Sequence, residues 1–414
     1  MIVGQGYVGL PVALRAVEAG FDVVGFDVDR DRIGRLEKAT SFIDDVTDDD
    51  LAVALATGRF HPSSDPADMD GFDVAVVSVP TPLRDGAPDL AYIESAAELI
   101  GPHVRPGCCV VLESTTYPGT TQDVFVPILE AATGLKAGPD FAVGYSPERI
   151  DPSTAPYGFG NTPKIVSGID AESLAVVDEF FSALVDITVP VSGLKEAELA
   201  KLLENTFRHV NIALVSELAM YANELDSDVW DVIDAASSKP FGFMKFTPGP
   251  GVGGHCLPID PSYLSWQVRQ SLGRAFRFVE LANDVNEHMP DYVVSRITQR
   301  LNLQRRSVSG SRVLVLGLAY KKNSGDARES PAIAVVKRLL ALGAEVLAAD
   351  PLVPSRYVPA GVEMVEFDAA QVESADVVLV LTDHDSFDWD LVNASGAKVL
   401  DTRHRVVASD AEHL

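Results

Sequence analysis

The chain has 414 residues, 47% of them hydrophobic, and a formal net charge of −27. That length predicts two or three domains with ample core, and the charge argues against nucleic acid or an anionic membrane as a partner. Three scattered cysteines support neither a disulfide framework nor a zinc site, and the short apolar stretches suit neither a membrane span nor a signal peptide, so a cytoplasmic protein is expected.

The chain opens as strand, glycine turn and helix: Met1-Ile2-Val3, then Gly4-x-Gly6-x-x-Gly9, then residues 10–19. A second strand over 22–26 ends at Asp27, eighteen positions after the last glycine and close to the roughly 20 of a dinucleotide-binding βαβ unit. The glycines let a pyrophosphate approach a helix N-terminus, whose N–H groups and dipole favour anions. Asp27 can accept bonds from a ribose diol and would repel a 2′-phosphate, so NAD is expected over NADP. The alternative for Asp27 is a solvated strand end. Ile2-Val3 makes a very short first strand, which suggests that the natural chain starts a few residues upstream.

Further strands are predicted over 74–79 and 109–113, closing on the loops Pro80-Thr81-Pro82 and Ser114-Thr115-Thr116-Tyr117-Pro118. Ligands of open α/β sheets lie at the carboxyl ends of strands, so these loops should line cofactor and substrate. Cys108 and Cys109 read as small hydrophobes, one of the two facing inward. From Glu196 to about Ala235 the pattern predicts one long helix, with Leu199, Leu202, Leu203, Thr206, Val210, Ala213 and Leu214 on one stripe. Lys201 and Asn205 share a different face, an ordinary solvated pair unless that face meets Cys256.

Gly253-Gly254-His255-Cys256-Leu257-Pro258-Ile259-Asp260-Pro261 is the most informative segment. Glycines let a ligand approach the thiol, and a carboxylate four residues on can manage a proton or a water, which suits a nucleophile acting on a carbonyl. The alternative is a loop in which Asp260 and Pro261 are merely the N-cap and first residue of a helix. The polar stretch 300–311 is the expected domain boundary. Beyond it a second α/β unit is predicted, with strands over 313–317, 344–348, 377–381 and 398–400 and a helix after Ser330-Pro331. It has one glycine after its first strand, and Tyr320-Lys321-Lys322 with Asp326-Ala327-Arg328-Glu329-Ser330 suggest a different phosphate-bearing ligand. Two such units joined by a long helix imply a cleft.

With these pieces in order, the chain resembles the UDP-sugar 6-dehydrogenases, which make UDP-hexuronic acids. The resemblance rests on Gly4-Gln5-Gly6-Tyr7-Val8-Gly9 with Asp27, Val79-Pro80-Thr81-Pro82, Glu113-Ser114-Thr115, Tyr145-Ser146-Pro147-Glu148-Arg149, Glu196-Ala197-Glu198-Leu199-Ala200-Lys201 with Asn205, the cysteine loop and the segment 321–331. It implies an α/β fold of two Rossmann-like doubly wound domains. Residues 1–190 would bind NAD, 301–414 would bind UDP, and a central helical region, 191–300, would carry the cysteine and form a homodimer through the long helix. The cysteine loop is similar to that of the branch acting on N-acetylated sugars, because UDP-glucose enzymes more often carry Ser before the cysteine and Lys before the aspartate. Pro240-Phe241-Gly242-Phe243 and Pro248-Gly249-Pro250-Gly251 are similar to the UDP-N-acetylglucosamine enzymes. UDP-glucose enzymes usually have an arginine near position 240. Here the nearest cation is Lys239, so that contact is not carried over.

The resemblance implies a four-electron oxidation of a sugar C6 alcohol to a carboxylate. Cys256 would form a thiohemiacetal and then a thioester; Lys201 and Asn205 would stabilise its oxyanion, and Asp260, with Glu148 and Thr115, would orient the hydrolytic water. NAD would be met by Gly4, Gly6, Tyr7, Val8, Gly9, Asp27, Arg32, Pro80, Thr81 and Arg328. The UDP-sugar would be met by Glu148, Arg149, Lys201, Asn205, Gly253, Lys321 and Arg403. UDP-N-acetylglucosamine is the expected substrate, with UDP-N-acetylmannosamine and UDP-glucose as alternatives. Two rival readings are a two-electron hydroxyacid dehydrogenase and a catalytically silent NAD-binding protein.

Overall fold

The computed structural model describes residues 1–43, 46–150, 156–254, 257–408 and 410–414. The chain forms two compact units, Met1–Glu204 and Asn205–Leu414. The first is built on an eight-stranded sheet in the order Thr188–Pro190, Lys164–Gly168, Ala142–Tyr145, Cys109–Leu112, Val74–Val77, Ile2–Val3, Val23–Phe26, Phe60–Ser63. Neighbouring strands are parallel except Ala142–Tyr145 and Lys164–Gly168, which pair antiparallel. The strand order reverses at Ile2–Val3, which lies between Val23–Phe26 and Val74–Val77. In open sheets that reversal leaves a crevice at the strand's carboxyl end.

The strands are apolar on both faces because helices cover both faces. One core gathers Leu10, Val12, Val76 and Val111, and the other gathers Ile93, Val77, Val110 and Leu129. Cys109 belongs to the first core and Cys108 to the second, so both adjacent cysteines are buried rather than one. Burial pushes the Cys109 thiol up to about 12 and raises that of Cys108. Neither is poised as a nucleophile.

The second unit carries a six-stranded, all-parallel sheet in the order Glu363–Met364, Glu345–Ala349, Arg312–Leu316, Val377–Val380, Val399–Asp401, Ala411–His413. The helix Arg277–Leu303 packs Met289, Val293, Ile297 and Leu301 into the same core as Val335 and Leu339 of the helix Pro331–Ala341. Ser330 caps the latter, its hydroxyl accepting from the Ala332 N–H at 3.2 Å. Among the described residues no helix is long and apolar enough to cross a membrane.

Two expectations for the long helix need correction. It spans Leu194–Glu224 and does not continue to Ala235. The chain reverses at Asp226, with a φ of 52°, and a new helix, Val229–Ser237, starts under Asp228. The Asp228 carboxylate accepts from the N–H groups of Trp230 (2.9 Å) and Asp231 (3.4 Å). The apolar period simply resumes after the break, through Val229, Trp230 and Ile233. The predicted single stripe is in fact two. Leu202, Thr206 and Ala213 are buried, whereas Leu199, Leu203 and Leu214 are exposed.

Replacing Asp228 by Ala should remove both cap bonds and destabilise the protein by about 1 kcal/mol. Chemical denaturation monitored by circular dichroism measures this, and Asp228→Asn should recover most of the loss.

Candidate active site

Glycine geometry defines the cofactor end of the first unit. Gly4 has a φ of +90°, and a Cβ there would stand 2.0 Å from the Ser78 carbonyl oxygen. A Cβ on Gly9 would stand 1.9 Å from the Gly4 carbonyl oxygen. These two glycines are demanded by the chain itself. A Cβ on Gly6 would meet nothing within 4 Å, so that glycine leaves open a cradle beside the start of the helix Gly9–Glu18. Val8 stands at the N-cap, no side chain caps the helix, and its first turn holds no acid. Such a terminus offers its N–H groups to an anion.

Asp27 is 5% exposed, and it is not the solvated strand end considered above. Its carboxylate accepts from Gln5 N–H (2.8 Å), Asp29 N–H (2.9 Å) and Arg32 Nη1 (2.7 Å). The Arg32 guanidinium also lies 5.2 Å from the centre of the Phe42 ring. Gln5 folds inward, its Nε2 donating to the Ile2 carbonyl at 3.0 Å, and only glycine at position 25 leaves room for its amide. The residues present thus fit a dinucleotide: an open glycine, an uncapped helix and a fixed carboxylate. Tyr7 and Pro80 are exposed beside this turn, and Val8 and Thr81 are half-buried. The Ser114 hydroxyl ties the two loops together, accepting from Val79 N–H and donating to the Val79 carbonyl, both at 2.8 Å. Thr115 is half-buried next to it.

A second cluster in the same unit was not foreseen in full. Glu148 directs its backbone carbonyl to Lys201 Nζ at 2.6 Å. Its carboxylate accepts from the N–H groups of Arg149 and Ile150, each at 2.6 Å, and meets Lys164 Nζ at 3.2 Å. Burial alone would raise Glu148, yet the Lys164 charge, the Ile150 N–H and the Lys201 charge outweigh it and hold the carboxyl below its ordinary value. Lys164 also pairs with Glu113, whose carboxyl burial pushes up to about 7 against the pull of Lys164. Glu198 is fully buried and accepts from Thr121 N–H (2.9 Å), Thr121 Oγ1 (2.7 Å) and Gly119 N–H (2.5 Å). The predicted sugar contact Arg149 sends its guanidinium to Glu204 at 2.6 Å and to the Pro163 carbonyl at 2.8 Å.

In the second unit, Asp260 opens the helix Asp260–Leu272, but the N-cap is Ile259 rather than Asp260. Asp260, 4% exposed, accepts instead from Asn205 Nδ2, itself 5% exposed. One turn along from Asn205, His209 Nε2 meets Asn283 Oδ1 at 2.7 Å, which fixes this face of the long helix to Arg277–Leu303. A Cβ on Gly253 or Gly254 would stand 2.8 Å from Tyr320, and Gly254 has a φ of +86°. The approach to the cysteine therefore has to be glycine. His255 and Cys256 themselves lie outside the described residues.

At the carboxyl ends of the second sheet, Asp350 occupies the place that Asp27 has in the first. Its Oδ2 accepts from Leu318 N–H (2.7 Å), Ala319 N–H (3.2 Å) and His384 Nε2 (3.1 Å), and its Oδ1 from Leu352 and Val353 N–H, both 2.9 Å. Burial opposes the charge, but the His384 bond and these N–H groups hold the carboxyl down at about 2. This carboxylate is saturated within the protein. Arg403 donates Nε to the Leu381 carbonyl at 2.9 Å and runs under Gly249, where a Cβ would stand 3.0 Å from Nη1. Lys321 is half-buried after Tyr320. Arg328, expected at the cofactor, makes a forked pair with Asp326 at 2.8 and 2.6 Å.

Against known proteins, the family model described as the UDP-glucose/GDP-mannose dehydrogenase family NAD binding domain matches residues 1–185. The central domain of that family matches 195–288, and its UDP binding domain matches 314–408. The chain is 38% identical over 356 residues to a UDP-N-acetyl-D-glucosamine 6-dehydrogenase of Pseudomonas aeruginosa, covering 85% of this chain and 82% of that one. It is 32% identical over 410 residues to a UDP-N-acetyl-D-mannosamine dehydrogenase of Pyrococcus horikoshii, covering 98% and 93%. A solved structure of the UDP-D-ManNAc dehydrogenase from Pyrococcus horikoshii superposes with a TM-score of 0.89 at 31% identity, covering 100% of this chain and 99% of that one.

The two kinds of glycine should separate experimentally. Gly9→Ala should lower the melting temperature, because its methyl collides with backbone. Gly6→Ala should melt like the wild type yet bind NAD+ about tenfold or more weakly, since only a ligand meets that methyl. Calorimetric titration with NAD+ alongside thermal melts measures both.

Proposed function

Because the chain belongs to the UDP-glucose/GDP-mannose dehydrogenase family, an NAD-dependent oxidoreductase family, we propose that it oxidises the C6 alcohol of a UDP-N-acetylhexosamine to the carboxylate. UDP-N-acetylglucosamine is the preferred substrate of this reading, and its manno epimer and UDP-glucose are the alternatives. The observation that carries the chemistry is the buried pairing of Asn205 with Asp260, four residues beyond Cys256, on the helix that also presents Lys201. A buried amide and carboxylate add little to packing but can hold an oxyanion and a water. The His255 and Pro258 form of the cysteine loop supports the N-acetylated branch. Residues 1–190 serve NAD, 191–300 carry the catalytic helix and cysteine, and 301–414 serve the uridine diphosphate.

Two NAD+ molecules, bound in succession, would each accept one hydride, one for each oxidation. Gly4, Gly6, Tyr7, Val8 and Gly9 would hold the cofactor phosphates at the helix start, Asp27 and Arg32 its ribose, and Pro80, Thr81 and Arg328 its flanks. Asp260, through a bound water beside the Lys201 ammonium, takes up the hydroxyl proton as C6 becomes an aldehyde. The Cys256 thiolate adds to that carbon, and Lys201 and Asn205 donate to the resulting oxyanion. Oxidation of this thiohemiacetal leaves a thioester. Water held by Asp260, with Glu148 and Thr115 beside it, cleaves the thioester, releasing the carboxylate and the thiolate. Arg149, Gly253, Lys321 and Arg403 hold the UDP-sugar. The reaction belongs in the cytoplasm, where both nucleotides are available, and involves neither nucleic acid nor membrane.

An exposed apolar row on the long helix supports a homodimer. Leu199, Leu203, Phe207, Leu214, Leu218 and Tyr221 recur at helical spacing and are each at least 40% exposed. A row of that length on a water-facing helix is a face made for a second copy. The Leu203→Glu/Leu214→Glu variant should run as a monomer at micromolar concentration in light scattering, whereas the wild type runs as a dimer.

The substrate reading is tested by counting NADH against UDP-uronic acid for UDP-N-acetylglucosamine, its manno and galacto epimers, and UDP-glucose. Two NADH per product and no free aldehyde are expected, and one NADH would make the enzyme a two-electron dehydrogenase. UDP-glucose should have a kcat/KM lower by about 10-fold or more, since unmet polar partners cost about 1–3 kcal/mol each.

A further inference from the structure

We propose that Lys164, clamped by Glu113, is a positioning residue that holds the Glu148 peptide in place and, through its carbonyl, the Lys201 ammonium. The proposal rests on the catalytic reading of Glu148 and Lys201 above. The register of the sheet creates the arrangement. Tyr145 pairs with Ser167 and Gly144 with Gly168 in antiparallel fashion, and continuing that register by four residues sets Lys164 opposite Glu148. Glu113 follows the strand Cys109–Leu112, whose Leu112 pairs with Tyr145, so it reaches the same end of the sheet from the other side.

Lys164 Nζ then answers three groups. It pairs with Glu113 Oε1, meets Glu148 Oε2 at 3.2 Å and donates to the Pro147 carbonyl at 3.3 Å. The rings of Phe181 and Phe159, at 5.0 and 5.2 Å, close over the ammonium. The Lys164 side chain is 3% exposed and that of Glu113 is fully buried. With the other oxygen of Glu148 held by two backbone N–H groups, the whole Pro147-Glu148 segment is fixed, and its carbonyl receives Lys201.

Stability does not explain this cluster. A buried lysine between two carboxylates is costly to desolvate, and apolar side chains of similar volume pack as well or better. Glu113, its carboxyl already raised by burial, moreover stands against a second carboxylate, Glu148, which raises it further. An arrangement kept for folding alone would not press two buried carboxylates together. What the ammonium does accomplish is to fix the two atoms of Glu148 that the reaction uses: a carboxylate oxygen and the carbonyl that receives Lys201.

The test compares Lys164→Met, the charge-neutral pair Glu113→Gln/Lys164→Met, Lys164→Arg and Glu148→Gln, each assayed for melting temperature, NAD+ affinity, kcat and KM. Lys164→Met alone leaves Glu113 uncompensated and is expected to melt early. The double variant should melt near the wild type and bind NAD+ within about twofold of it, yet lose about 100-fold in kcat with little change in KM, as a displaced catalytic group does. Lys164→Arg should regain part of that rate. Wild-type kcat in the double variant, with Glu148→Gln impaired, would overturn the positioning role alone. A kcat loss in the double that merely tracks lost folding or NAD+ binding would overturn it too. Wild-type kcat in Glu148→Gln would overturn the catalytic reading and this proposal with it.

Discussion

Parallel sheets expose backbone N–H groups at the glycine turns beyond their strand ends, and those groups must be answered. Each unit answers with an aspartate at the end of its second strand. Asp27 receives three donors, Gln5 N–H, Asp29 N–H and Arg32, while Asp350 receives five, among them His384. That one difference in saturation separates the roles of two similar sheets. The first presents a carboxylate at an open glycine turn, as a ribose diol requires. The second spends its carboxylate internally, on the turn that carries Leu318 and Ala319.

A chain of net charge −27 that acts on a doubly charged nucleotide sugar has to place its cations with care. Several are committed to partners within their own unit. Arg149 forks onto Glu204, Arg328 onto Asp326, and Lys164 onto Glu113 and Glu148. Their contribution is shape more than net field, since each is neutralised where it stands and fixes a loop at the end of a strand. Arg149 anchors the segment after Tyr145 to the long helix in this way.

The long helix has two duties on different faces. Its buried face carries Lys201, Asn205 and His209 at successive turns, each held by a polar partner. Its exposed face carries the leucine and aromatic row. A helix that must keep one face polar and buried cannot also rely on that face for apolar packing, so its hydrophobic contacts fall to other buried positions, among them Leu202, Ala213, Val215 and Ala219.

Much was legible in the sequence where geometry demands a particular residue. Gly4, Gly9, Gly253 and Gly254 are glycine because a Cβ would collide, and such demands survive as spacing that can be read directly. Asp27 and four adjacent strands of each sheet were legible from spacing and apolar pattern, as were Lys201 and Asn205 at one helical turn, whereas the outer strands of both sheets, such as Lys164–Gly168 and Ala411–His413, were not. The sequence could not show the break at Asp226, because the apolar period resumes in phase beyond it and only the Asp228 cap reveals the new helix. Nor could it show which leucines of the long helix face inward, since burial depends on what packs against them. Lys164 reads as a charge at a strand start and Glu113 as a polar end to an apolar run. They lie 51 residues apart, and only sheet register brings them to one end beside Glu148. Local backbone requirements are written in the residues that satisfy them, whereas the pairing of distant charges is decided by topology, because the low dielectric that makes such a pair matter exists only once the sheet has closed around it.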